Sequence, residues 1–262
     1  MVSKNIKAIS EKIFWSLVAI VTVLIAWQVI ASAISIRDLM PDPLKVLGFF
    51  FRSFIVPIGR FTMPRHILFS LERMLIGFSI ASLLGIIVGV GMGTSRLFRA
   101  IVRPVFEMLR PIPPIAWIPL AILWLGIGET TKWFIIFIGS FTNVTLNSFA
   151  GAVQVEPTLI GAARMLGANE RQIFFKIILP SATPNIFSGL QIGLSTAWMS
   201  VLAAEMVRSA EGAGWMIIMG SETGNTTQIL AGMIAIGFFG FLIAELMHGL
   251  ERKLCAWNVR GR

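Results

Sequence analysis

The sequence predicts an all-α polytopic membrane protein with six transmembrane helices, and three observations carry that prediction. Over 262 residues the chain is 56% hydrophobic and only 13% charged, with a mean hydropathy of +0.82. Its apolar runs are each about 20 residues or more long, the length that crosses a bilayer as a helix. Its 22 Lys and Arg, which give a formal charge of +9, sit in short clusters beside those runs and form no basic domain. That placement is a topology signal and argues against a nucleic-acid partner. A soluble domain of this size has too little interior to hide so much apolar surface, so lipid is the solvent the residues require.

The first run, Phe14 to Ile34, follows Lys4, Lys7 and Lys12. It is too long for the core of a signal peptide and no clear small-residue cleavage site follows, so an uncleaved helix of roughly 31 Å is expected. Ser35 to Arg65 is charged and carries prolines at 41, 43, 57 and 64. Within it LKVLGFFFRSFI has the amphipathicity of a helix lying along an interface, with a plain loop as the alternative. The second crossing is expected over Ser70 to Gly93, with Gly85, Gly89 and Gly93 on one face for close helix contact.

After Arg96, Arg99 and Arg103 comes a third apolar segment reaching Leu125 that holds Pro111, Pro113, Pro114 and Pro119. Each proline removes an amide donor, so a bent helix facing other helices or a pathway is expected there. The fourth crossing, Lys132 to Ala150, concentrates Thr142, Asn143, Thr145, Asn147 and Ser148 in its second half. These polar groups are costly against lipid and should face the bundle or a wet cavity. A fifth crossing runs from Ser181 to Val207 with the pair Gly189 and Gly193, and a sixth from Gln228 to Leu250. The glycine-rich segment between them admits a short helix near Trp215 to Met219.

Six crossings put both termini on one side. That side collects thirteen Lys and Arg against seven on the other, with Arg73 and Arg110 inside proposed spans. The positive-inside rule therefore places the termini, and the stretch LIGAARMLGANERQIFFKIILP, in the cytoplasm. In that stretch Thr158 is a candidate cap for a short helix, Gly167 ends it, and Asn169 with Gln172 forms a capping box for a second. Pro180 marks the turn into the next span. Leu159, Ala162, Ala163 and Leu166 share an apolar side bordered by Arg164, which suits a groove on a soluble partner; an amphipathic surface loop is the competing reading.

No phosphate-binding G-x-x-x-x-G-K-[ST] loop occurs, so any ATP hydrolysis belongs to another polypeptide. GIGE at 126–129 and EGAG at 211–214 read as turns beside membrane helices. Absence of H-E-x-x-H and G-x-S-x-G signatures, and of an acid paired with histidine at helical spacing, weighs against an intramembrane enzyme. His66 and His248 lie far apart without ligand spacing, and the single Cys255 has no partner for a disulfide or a metal site.

For a translocation pathway, Gln191, Ser195 and Trp198 give one partly polar face of the fifth span, and Asn143 and Asn147 one of the fourth. Neutral donors of this kind pass an anion without holding it tightly. Arg110 either supplies a favourable field at the proline-rich bend of Pro111, Pro113 and Pro114 or pairs with Glu107. Glu205, near the outer end of the fifth span, either orders a gate through bonds to backbone or hydroxyl groups or simply ties helices together.

GAARMLGANERQIFFKIILP, Gly161 to Pro180, resembles the signature of permease subunits of bacterial ATP-binding-cassette importers. That signature is Glu-Ala-Ala, a glycine six positions after the Glu, then Ile-x-Leu-Pro. Ala162, Ala163, Gly167, Ile177, Leu179 and Pro180 match in register, while Gly161 replaces the glutamate. LRPIPPIAWIPLAILWLGIGE (109–129) and AWMSVLAAEMV (197–207) narrow the likeness to the branch importing nitrate, taurine, alkanesulfonates or bicarbonate, with relatives for aromatic acids and thiamine precursors. Asn143 stands where many relatives carry proline.

The resemblance implies a type I importer permease fold in an inner membrane. Residues 1–65 would form an N-terminal helix and external loop, and 66–262 a five-helix core with the coupling element at 159–180. It also implies that Leu159, Ala162, Ala163, Arg164, Leu166 and Gly167 dock on a cytoplasmic ATPase. This chain would bind no cofactor, with ATP and Mg on that partner, and would work with an external solute-binding protein and a second permease chain. An ATP-independent channel or carrier is the alternative.

Overall fold

The computed structural model describes residues 2–33, 40–207 and 209–254, and these fold almost wholly as helices. Ile34, Ser35 and Cys255, named from the sequence, lie outside the described residues, as do Arg37, Arg208, Arg260 and Arg262 among the counted cations. The elements are α1 (Val2–Ala33), α2 (Pro43–Arg52), α3 (Met63–Thr94), α4 (Arg96–Leu109), a 3-10 turn (Pro114–Trp117) into α5 (Ile118–Leu125), and α6 (Glu129–Val153). They continue as α7 (Pro157–Met165), α8 (Glu170–Ile173), a π turn (Phe174–Ile178), α9 (Leu179–Met206), α10 (Ala213–Glu222) and α11 (Thr226–Leu254).

Among the described residues four helical stretches are long and apolar enough to cross a membrane: Met63–Thr94, Glu129–Val153, Glu170–Met206 and Thr226–Glu251. The pair Arg96–Leu109 and Pro114–Leu125 makes a fifth if counted as one span broken by a bend of 90°. Leu17–Ala33, within the first expected crossing, is a shorter apolar helix. The helices outrun the apolar runs from which they were predicted, because hydropathy reports bilayer thickness and helices continue past it into the interface.

Two compact units divide the chain. One comprises Met1–Met63 and Met216–Ala235. Here LKVLGFFFR is helical: Pro43 opens α2 after Asp42, and Val46 and Phe50 are buried. Met63 N–H donates to the Ser53 carbonyl at 2.9 Å and closes the following turn. Within 216–235, Gly220 lies against Ile229 and Gly232 against Ile217, so α10 and the start of α11 form a close hairpin.

The other unit, Pro64–Trp215 and Ile236–Arg262, is organised around α6. The four-residue glycine repeat of α3 finds its partner there. Gly77 meets Ile136, Gly85 meets Val144, Gly89 meets Thr145 and Ser148, and Gly93 meets Ala152. The numbers rise together, so α3 and α6 run parallel, returned to register by the broken segment between them. On its other side α6 packs antiparallel to α9: Gly151 meets Asn185, Gly189 meets Asn147, and Gly193 meets Val144. Without a hydrophobic drive between helices in lipid, such close backbone approach supplies the contact energy.

Met74, Ile136, Leu194, Ala197, Trp198 and Val201 form one buried cluster of this unit, and Val90, Ala152, Ala182 and Ile186 another. A Cβ at Gly89 would collide with the Thr145 carbonyl, which is backbone and cannot swing away. Gly89→Leu should therefore lower stability by about 1–3 kcal/mol, read as a drop in the melting temperature of the detergent-solubilised chain. Gly237→Ala, where a Cβ meets nothing, serves as the neutral comparison.

Candidate functional site

The prolines expected to bend the third span do so. α4 ends at Leu109 and residues 110–113 turn the chain. Pro113 then caps the 3-10 turn, with Pro114 at its first position, where a missing amide costs nothing. Beside this corner lies a cavity of about 410 Å³. It brings together Arg110, Pro113, Pro114 and Asn143, all singled out from the sequence, with Thr142, Thr196 and Ser200. Asn143 Nδ2 donates to Thr196 Oγ1 at 3.2 Å, and Arg110 Nη1 lies 3.5 Å from Glu107 Oε2, the pairing that was one of its two readings. Pro111 shapes the corner without lining the cavity.

The other expected pathway residues lie elsewhere. Gln191, Ser195 and Trp198 line a separate cavity of about 450 Å³ against Gly240, Ile243, Ala244 and Met247 of α11. Trp198 Nε1 donates to the Ile236 carbonyl at 3.2 Å, and Gln191 Nε2 lies 3.1 Å from His248 Nδ1. Asn147 donates to the Asn143 carbonyl at 2.9 Å and packs on Gly189. The polar half of α6 thus divides three ways: Thr142 and Asn143 face the first cavity, Asn147 faces α9, and Thr145 and Ser148 are buried against α3.

At one end of the bundle α6 and α9 are joined by the stretch LIGAARMLGANERQIFFKIILP. Pro157 starts α7 after Glu156, which takes the cap position expected for Thr158; Thr158 Oγ1 instead bonds to the Glu156 carboxylate. Proline at the first position presets the helical φ, so no side-chain cap is needed. Gly167, at φ +82°, closes the helix, with Gly167 N–H on the Arg164 carbonyl and Ala168 N–H on that of Ala163. This paired closure needs a left-handed residue, which glycine supplies without strain. The Asn169–Gln172 capping box forms as expected.

The side of α7 left free holds Leu159, Ala162 and Leu166, with Met165, which the sequence argument did not pick out. Leu166 is 89% and Met165 86% exposed, while Ile160 and Ala163 are half-buried. Arg164 pairs with Glu170 at 3.0 Å on the surface, and a Cβ at Gly161 would meet nothing. Pro180 does not mark a turn. The helix runs on through it from Glu170 to Met206, with the π turn just before it. A π turn shifts the carbonyls that the proline ring would otherwise strike and leaves no amide demanded of it. Val155 and Ile173, on either side of α7, are buried.

At the opposite end of α6 and α9 sits Glu205, expected from the sequence to bond to hydroxyl and backbone groups, as it does with Ser70 and Gly214, but in a cluster around Arg73 that the sequence reading missed. Arg73 Nε and Nη2 hold Glu129 as a fork at 2.6 and 2.8 Å, and Nη1 reaches Glu205 Oε1 at 2.8 Å. Nη2 also reaches Glu211 Oε1 at 3.1 Å, and Lys132 Nζ reaches Glu129 at 2.8 Å. The Glu205 side chain is fully buried and takes further bonds from Ser70 Oγ at 2.8 Å and Gly214 N–H at 3.0 Å. Gly212, at φ +116°, lies so close that any Cβ would strike the Glu205 carboxylate, so EGAG is a turn shaped around that acid. The available signal was Arg73 itself: an arginine inside an apolar span needs a buried acid.

Fold and geometry define an integral-membrane permease, a helical bundle with a cavity of mixed polar and apolar lining and an exposed apolar element at one end. The chain belongs to the family of binding-protein-dependent transport system inner membrane components, whose model matches residues 81–254. It is 35% identical over 253 residues to the taurine transport system permease protein TauC of Escherichia coli, covering 95% of this chain and 92% of that protein. It is 32% identical over 247 residues to the nitrate import permease protein NrtB of a Synechocystis species, covering 92% and 89%. Among solved structures, an inward-facing MetNI methionine ABC transporter matches with a TM-score of 0.64 at 21% identity, over 73% of this chain and 95% of that one, and shares its fold.

Proposed function

We propose that this chain is the membrane-spanning subunit of an ATP-driven importer for a small anionic solute such as nitrate, bicarbonate, taurine or an alkanesulfonate. In this reading two permease chains enclose the path, an external binding protein delivers the solute, and cytoplasmic ATPase subunits bind ATP and Mg and drive the cycle. Both termini and α7 lie in the cytoplasm. The chain itself catalyses no reaction.

The observation that carries this reading is the free apolar side of α7. Large side chains exposed at a polar end of a membrane protein call for a partner, and the caps at Gly167 and Asn169 fix their orientation. Motion imposed on α7 has a short route into the bundle. Phe174, Ile178 and Leu179, just beyond α8, pack on the cluster of Val90, Ala152, Ala182 and Ile186, which joins α3, α6 and α9. From there α6 and α9 run to the opposite end as continuous helices, so a tilt at one end reaches the cavity in mid-bundle. The kinship with taurine and nitrate permeases supports the solute class.

Reconstitution tests it. The chain alone in liposomes should pass no solute, and ATP-dependent uptake should appear only when ATPase and binding protein are both added. Flux through the chain alone would replace this reading with an ATP-independent carrier or channel.

A further inference from the structure

We infer that Glu245 pairs with Arg103 of a second copy of this chain, across a face built by α4, α9 and α11. This names the surface and the ion pair that join the two permease chains, and rests on the transport reading above.

Glu245 lies in α11 within the apolar span Thr226–Glu251, six residues before Glu251 and so about 9 Å inside its end. It is exposed, and has no hydrogen bond or ion pair among the described residues. Phe238, Phe241 and Leu242, one or two turns away on the same side of the helix, are exposed as well. A lone carboxylate among such side chains is costly against lipid, so it calls for a cation from outside the chain.

α4 carries a matching surplus. Glu107 lies 3.7 Å from Arg103 and 3.5 Å from Arg110, so one carboxylate is shared by two guanidiniums and neither contact is short. Arg103, with 56% of its side chain exposed, keeps donors to spare. Phe106 is buried and faces Phe141 of α6, whereas Leu97, Ile101, Val105 and Met108 of the same helix are exposed. Charged and apolar groups bared together on a membrane segment suit a protein partner better than lipid.

Both helices open on one face. Met199 of α9 lines the cavity against α11 and also the cavity at the α4–α5 corner, so α9 is a ridge flanked by α11 and α4. Depth matches as well. Gln191 meets His248 and Trp198 packs on Gly240, which puts Glu245 level with the α9 residues between them. On α6, Asn147 and Val144 meet Gly189 and Gly193 of α9, while Arg103 lies by Phe149 and Phe106 by Phe141. The segment from Arg103 to Phe106 thus covers the depth of Glu245.

A twofold axis along the membrane normal keeps depth and exchanges the two flanks. It therefore sets α11 of one copy opposite α4 of the other, and both acids find a guanidinium in a single self-complementary contact. Because one chain carries both the unpaired acid and the spare cation, charge complementarity selects a copy as the partner.

Two differently tagged full-length chains, each Cys255→Ser, are co-expressed, one with Glu245→Cys and the other with Arg103→Cys, and membranes are treated with a short bis-maleimide. Adducts carrying both tags are expected. Few should form when Leu83→Cys, exposed on α3, replaces Arg103→Cys. In detergent, Glu245→Arg and Arg103→Glu should each raise the dimer Kd about tenfold for each of two symmetry-related pairs, about 100-fold in all. Both changes in one chain should restore most of the association, which a misfolded variant could not do.

Absence of adducts between Glu245→Cys and Arg103→Cys, or association unchanged in both reversals, would overturn the pair and leave Glu245 facing lipid or a water-filled path. A double reversal that stays dissociated would overturn it too, and a wild-type chain that is monomeric would remove the copy as partner. Loss of ATP-driven uptake with adducts and reversal pattern intact would instead count against the transport reading and leave this interface standing.

Discussion

Arg73→Met should leave little folded permease, because it strands a buried acid that no other cation among the described residues reaches. Three carboxylates, Glu129, Glu205 and Glu211, converge on this one guanidinium, and Lys132 contacts only Glu129. Glu129 is 44% and Glu211 30% exposed at the side chain, so solvent relieves them when Arg73 is lost. Glu205, at 0%, has no such outlet. Breaking a buried pair by removing one partner costs about 3–5 kcal/mol, a large share of the stability of a domain. The measurement is the melting temperature and monodisperse yield of the detergent-solubilised chain.

Arg73→Met combined with Glu205→Gln should recover part of the loss. The amide keeps the shape and still accepts from Ser70 and Gly214 without a buried charge. Arg73→Lys should not rescue, since a single ammonium cannot replace a fork that bonds three acids in different directions. A loss below about 1 kcal/mol in Arg73→Met would show that the cluster is solvated in the membrane and does not tie the helices.

What the sequence made legible follows from the range of the forces involved. Apolar runs, caps and proline breaks are set within a few residues, so the crossings after Ser70, the Asn169–Gln172 box and the break near Pro113 were readable. The glycine repeat of α3 was readable as a packing face, but its partner was not. A parallel match between Gly85 and Val144 is set by how the intervening broken segment returns the chain, and no local pattern encodes that.

Local rules misled where a longer element overrode them. Pro180 looks like a stop, yet a π turn absorbs it inside a helix whose flanks are buried in the bundle. Glu156 starts α7 because Pro157 follows it, a stronger setting than the hydroxyl of Thr158. In the candidate site, Asn143 and Arg110 were visible as polar residues in apolar runs. Ser200 was not, because a lone serine in a membrane helix ordinarily bonds to its own backbone, and only the fold brings it to the cavity.

Ala162→Asp should abolish most ATP-driven uptake while leaving the chain folded. Ala162 is exposed on the free side of α7 between Leu159 and Leu166, so a carboxylate there meets water in the isolated permease and costs nothing. Pressed into an apolar groove of an ATPase, the same carboxylate loses its hydration, and the bordering Arg164 is already engaged with Glu170. An unpaired charge so buried costs about 2 kcal/mol or more, which weakens docking about 30-fold or more. Ala163→Asp is a less clean probe, because Ala163 is half-buried and its replacement disturbs the chain's own packing as well. The readouts are uptake in proteoliposomes, copurification of the ATPase, and the melting temperature of the permease alone. Loss of the first two with the third unchanged is the expected pattern. Wild-type uptake by Ala162→Asp would mean that α7 faces water throughout the cycle and that the motor grips the bundle elsewhere.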